Sequence, residues 1–252
     1  MTSLGPFTTW AMSGNLAYQR AQSTNGLGAL PGLTEDVEAA FPDHIRRDSD
    51  GRIVSIDYRP MNLGSTLIES LNTGFNLNLP RPAGASRGEA TVLRIAVNHS
   101  FQLSNRVRLR AGLPELDRLK GDGGGLSRQS GRLTIDARRG RWGANVSAQW
   151  QEGYRTRRFA GWDDAADLVI APFSTVDLRF SLQMNASGSR TGAEDESIRR
   201  KSGGLQLNLD VENLFDARRE ARLGDGTAAP GYGRDVQDPL GRTVRLTLQR
   251  RF

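Results

Sequence analysis

Apolar and polar residues alternate with period two over several stretches of this chain. Residues 176–183 read VDLRFSLQ, with every other position apolar from Val176 onward. Residues 205–212 (LQLNLDVE) and 244–249 (VRLTLQ) repeat the pattern, and 142–151 (WGANVSAQWQ) holds it if glycine counts as polar. Period two puts successive side chains on opposite faces of a strand, so each stretch predicts a strand with one apolar face. Weaker alternation groups Leu93, Ile95, Val97, His99, Phe101 and Leu103. It also groups Leu71, Thr73, Phe75, Leu77 and Leu79; Leu133, Ile135 and Ala137; and Trp10, Met12, Leu16 and Tyr18. The pattern predicts about eight main strands, near 8–20, 66–80, 90–104, 129–139, 141–153, 173–185, 203–214 and 240–252. A shorter strand at 52–59 reads as part of a loop hairpin, and 34–41 as one or two helical turns.

The polar faces carry Asp177, Arg179, Asn208, Asp210, Glu212, Arg245 and Gln249. Alternation fits a soluble sheet with its apolar face inward, or a membrane barrel with that face outward and a wet lumen. Strand lengths of about 10–13 residues suit a tilted bilayer crossing. Trp10, Trp142, Trp150, Tyr154, Phe215 and Phe252 fall near strand ends, as interfacial aromatics do. The turn at 139–141 is tight, whereas 21–51, 105–128, 154–172 and 215–239 are long and polar. Short turns on one side and long loops on the other are the outer-membrane pattern. The stretch 186–202 departs from it, being long on the short-turn side.

Composition narrows the picture. The 252 residues carry a net charge of +6, nearly all of it arginine, since Lys120 and Lys201 are the only lysines. The basic residues are scattered, and Trp142, Trp150 and Phe180 lie on the apolar faces, which argues against a nucleic-acid surface. Absence of cysteine excludes disulfides and thiolate metal sites. The mean hydropathy of −0.50 is compatible with barrel strands, whose lumen side is polar. No apolar run is long enough for a transmembrane helix.

The C-terminal residues carry a resemblance. Residues 207–216 read LNLDVENLFD, followed by a loop with Gly231, Tyr232 and Gly233, then Gly241, Arg242 and an alternating strand to Phe252. This resembles the end of TonB-dependent outer-membrane receptors. The segments 148–154 (AQWQEGY) and 57–63 (DYRPMNL) resemble a strand end and a loop element of the same family. The resemblance implies an antiparallel transmembrane β-barrel, all-β, of 22 strands in the family, to which this chain contributes the C-terminal portion over 1–252. It implies location in the outer membrane of a Gram-negative bacterium and import of a scarce nutrient such as a siderophore-type iron chelate. The implied partners are TonB, acting through a plug-bearing N-terminal region; the barrel-assembly machinery; a small-molecule nutrient ligand; and outer-membrane lipid. The first ten residues, MTSLGPFTTW, lack a secretory-signal pattern, so the chain reads as a fragment or a truncated frame. By the same resemblance, Val244, Leu246, Leu248 and Phe252 form the assembly signal. An unpaired edge strand of this kind can template pairing with another edge.

Other motifs read as structure. Residues 48–51 (DSDG) lack the remaining ligands of a calcium loop and read as a polar turn. The run 121–125 (GDGGG) reads as a flexible loop tip. Asp163, Asp164 and Asp167 read as a solvated acidic loop. His44 and His99 are too sparse for a metal or base, and no catalytic motif appears. The expectation is a non-enzyme with no cofactor and no metal, its ligand-binding residues unassigned. The alternative is a self-contained eight-stranded outer-membrane barrel with a structural or adhesive role.

Overall fold

The computed structural model describes residues 11–30, 32–79, 91–111, 113–185, 204–237 and 240–250. Among them eight long strands lie side by side in chain order in one antiparallel sheet. They are β1 (Ala11–Gly28), β2 (Met61–Leu79), β3 (Thr91–Arg108), β4 (Gln129–Arg139), β5 (Trp142–Gln151), β6 (Phe173–Asn185), β7 (Gly204–Glu212) and β8 (Thr243–Arg250). A short ninth strand, Glu115–Asp117, pairs with the end of β3. Among the described residues, β1 and β8 each have a partner on one side only. Trp10, Phe252 and the stretch 186–202 lie outside these residues.

Each predicted strand is present, but the first three run longer. β1 continues to Gly28 and pairs with β2 back to Met61, while β3 reaches Arg108. The β1 extension, 21–28, lacks alternation, whereas those of β2 and β3 bury Met61, Leu63 and Val107 against the long loops. The helical turns at 34–41 are the α-helix Glu35–Ala40, capped by the Thr34 hydroxyl, which accepts from the Val37 N–H. The expected hairpin pairs Ile45–Arg47 with Ile53–Ile56. Its turn is closed by the Asp48 carboxylate, which accepts from the Asp50 and Arg52 amides. No helix among the described residues is long and apolar enough to cross a membrane.

The register aligns the apolar faces across all eight strands. Met12, Leu77, Ile95, Ile135, Val146, Leu178, Val211 and Val244 form one unbroken cross-strand row. One residue further along each strand, the opposite face shows Ala11, Asn78, Arg94, Asp136, Asn145, Arg179, Asp210 and Arg245. A one-residue slip in any pair would mix the faces.

Burial is inverted relative to a sandwich. The apolar face of the sheet is open: Met12 is 71% exposed, Leu16 69% and Leu246 68%. The buried clusters sit at the long-loop end instead. Val37, Ala40 and Phe41 pack with Leu109 and Leu116 against the upper strand residues Met61, Leu63 and Val107. A second cluster joins Ile170, Ala221 and Ala229.

The four long loops, 29–60, 109–128, 152–172 and 213–242, are bonded in series. The Ala160 amide donates to the Asp36 carboxylate at 2.7 Å, and Arg158 pairs with Glu35 at 2.8 Å. Residues Leu168–Ile170 pair with Ala221–Leu223 on one side and with Tyr154–Thr156 on the other. Two expectations are corrected here. The glycine run at 121–125 is a packed joint, not a flexible tip: Asp122 is 5% exposed, and a Cβ on Gly124 would lie 2.8 Å from the Gly32 Cα. Asp167 is fully buried rather than solvated, accepting from the Arg158 and Asp164 amides and pairing with Arg155 at 3.4 Å.

Candidate functional site

The polar face of the sheet is where side chains capable of binding collect. Asn15 in β1 and Thr175 in β6 line one hollow of about 560 Å³. Six flat strands would hold them about 24 Å apart, so the polar face is concave. The hollow presents the amides of Asn72, Asn98, Gln149 and Gln151, the hydroxyls of Ser100 and Ser130, and two guanidinium groups, Arg132 and Arg219; no carboxylate lines it. Alternation in β2 to β5 delivers these groups, since each occupies the polar position between two apolar-face residues. Gly74 matters locally: a Cβ there would meet the Asn15 Oδ1 at 2.2 Å, so its bare backbone lets the Asn15 amide lie across the strand.

The arginines are held in place. Arg132 donates to the Gln149 Oε1 at 3.1 Å. Arg219 comes from the last long loop, donates to the Gln151 Oε1 at 3.1 Å and stacks over the Phe173 ring at 4.9 Å. Phe173 and Arg219 also line a second hollow of about 700 Å³, between residues 171–174 and 216–222, so the two spaces adjoin. Lower on the same face Asn145 donates to Asp136 at 2.8 Å, and Arg179 pairs with Asp210.

The loop end above is electrostatically locked. The Arg59 guanidinium, bonded to Asp57, brings the Asp57 carboxyl down to about 2. Hydrogen bonds from Arg157 hold the Asp163 carboxyl below its usual range, and Arg47 does the same for Glu38. His44 lies in this loop region, with its Nδ1 at 3.0 Å from the Asp57 carbonyl; His99 is in the sheet, 3.3 Å from Gln129.

The residues singled out from sequence as an assembly signal fall on the edge strand β8. Val244, Leu246 and Leu248 face Val211, Leu209 and Leu207 and are 65%, 68% and 63% exposed. Phe252 lies outside the described residues. The lining of the hollow escaped sequence reading, because single Asn, Gln, Ser and Arg residues on six strands carry no motif; only register brings them together. The chemistry they offer is multiple hydrogen bonding with a net positive charge.

No protein-family model, no curated protein and no solved structure matches the chain.

Proposed function

We propose that the chain is part of the wall of an outer-membrane transport barrel, with its apolar face against lipid and its concave polar face lining a solute path. The observation that carries this reading is the unbroken apolar row from Met12 to Val244, exposed at its two ends and part-buried between them, while the buried clusters lie at the long-loop end and not against this row. An uncovered apolar face of that extent in water would be an aggregation hazard; against hydrocarbon it is the stable arrangement. Dimensions support the same reading. From Trp142 to Trp150 β5 climbs about 26 Å along its length, which at the tilt of about 40° usual in barrels is about 20 Å along the membrane normal, near the height of their apolar band.

The role is nutrient import of the TonB-dependent type, by the resemblance at 205–252. The hollow's amides, hydroxyls and two arginines, with no carboxylate lining it, suit an anionic, oxygen-rich solute such as an iron chelate. The outer edges of β1 and β8, which have no strand partner among the described residues, would pair with further strands of the larger barrel, and energy comes from TonB through a plug-bearing region. The test is fractionation followed by uptake. The protein belongs in the detergent-insoluble outer-membrane fraction, and cells lacking its gene should take up less radiolabelled ferric citrate under iron limitation. A cytosolic protein refutes the membrane reading; unchanged uptake refutes this cargo.

The count of eight strands favours a second reading, a self-closing small barrel. It requires β8 to pair with β1. Cysteines introduced into those two strands would then cross-link within one chain, and would not under the first reading.

A further inference from the structure

The apolar face has a dent on β4 and β5, where Ala137 stands directly opposite Ala144. Ile135 and Val146 close the dent above, Leu93 and Phe180 at the sides, and Arg139 and Trp142 below. A cavity of about 110 Å³ occupies it, room for a few methylene groups, lined by Thr91, Ala137, Arg139, Trp142, Ala144 and Phe180. Trp142 and Phe180 form one wall, their rings tilted with centroids 5.2 Å apart. Arg139 is exposed and, among the described residues, faces the uncharged Thr91 and Trp142 on the two neighbouring strands. Its charge therefore sits at the rim of an apolar dent, next to the tight turn at 140–141, with Arg141 following.

We propose that this dent is a binding site for an acidic phospholipid, with an acyl chain in the Ala137–Ala144 hollow and the headgroup phosphate on Arg139. The inference rests on the membrane reading above, which places the tight turn at the lower bilayer surface. An arginine at that depth reaches the headgroup region. The guanidinium fork matches a phosphate, and Trp142 settles at the same interface. Charge complementarity selects an anionic lipid over a zwitterionic one.

The test uses the full chain folded into vesicles of roughly four parts phosphatidylcholine to one part phosphatidylglycerol. After mild detergent extraction, native mass spectrometry counts the lipids retained. The ratio of phosphatidylglycerol to phosphatidylcholine among the retained lipids should be about fivefold that in the vesicle. A144L, which fills the dent, and R139Q, which removes the charge, should each abolish that enrichment. R52Q, the same charge loss in the distant hairpin, should leave it intact. Insertion without lipid preference, or enrichment that survives both A144L and R139Q, overturns the lipid site alone. Failure to insert into either this mixture or pure phosphatidylcholine overturns the lipid site and the membrane reading together.

Discussion

The Asp122 carboxylate, 5% exposed, lies 3.3 Å from the Arg157 guanidinium and so ties the loop 109–128 to the loop 152–172. It also accepts from the Asp117 amide within its own loop and from the Gly161 amide in the other, both at 3.0 Å. D122A leaves two amides without their acceptor and takes from Arg157 one of the two carboxylates it bonds, Asp163 remaining. The expected cost is about 2 kcal/mol, confined to the loop end. Hydrogen exchange at the Gly161 amide checks it, with an acceleration of roughly 30-fold expected while the amides of β4 and β5 stay protected. Uniform loss of protection across the sheet would mean that loops and strands unfold as one unit.

Leu246 distinguishes lipid from water as the surroundings of the sheet. It is 68% exposed, so in water its replacement by Arg would change stability within about 0.5 kcal/mol. Facing the bilayer interior, L246R should cost about 2–4 kcal/mol. Its neighbour Thr247 points to the polar face beside Asn208, and T247R there should cost well under about 1 kcal/mol. Denaturant titration of the bilayer-inserted protein reads both.

Acid should loosen the loops before the sheet. Asp57 titrates at about 2 when folded because Arg59 bonds its charged form, whereas an unfolded Asp titrates near about 3.9. A carboxylate with a depressed folded pKa contributes stability that is complete above the unfolded value. That contribution fades as pH falls through the folded one. Asp163 and Glu38 are shifted in the same direction by Arg157 and Arg47. Proteolysis of the segment 45–60 should therefore be flat above about pH 4 and accelerate below it. In D57N the rise should be smaller. Acceleration on the alkaline side would contradict the assignment.

The strand inventory was legible in the sequence because each strand has one apolar face, and that face writes itself as alternation. The helix at Glu35–Ala40 was legible only as helical periodicity over 34–41; its Thr34 cap and acidic first turn are seen in the structure. The upper extensions of β1, β2 and β3 were not, since 21–28 carries no apolar alternation and Met61, Leu63 and Val107 find their apolar partners only in the long loops. Nor was the packing of 121–125 or of Asp167, whose partners lie on other turns or loops; glycine and aspartate in a polar stretch read as solvated until long-range contacts are known. The concave hollow was invisible for a related reason: Asn15, Asn98, Arg132 and Thr175 become neighbours only through the cross-strand register.

The central claim is that alternate residues of β8 face lipid and water. The chain has no cysteine, so single cysteines placed at 244 through 248 report without background. Spin labels at these positions, in the protein folded into phosphatidylcholine vesicles, measure collision with oxygen dissolved in lipid and with a water-soluble nickel complex. The account predicts high oxygen and low nickel accessibility at 244, 246 and 248, and a lower oxygen-to-nickel ratio at 245 and 247. Uniform nickel accessibility at all five positions would contradict it.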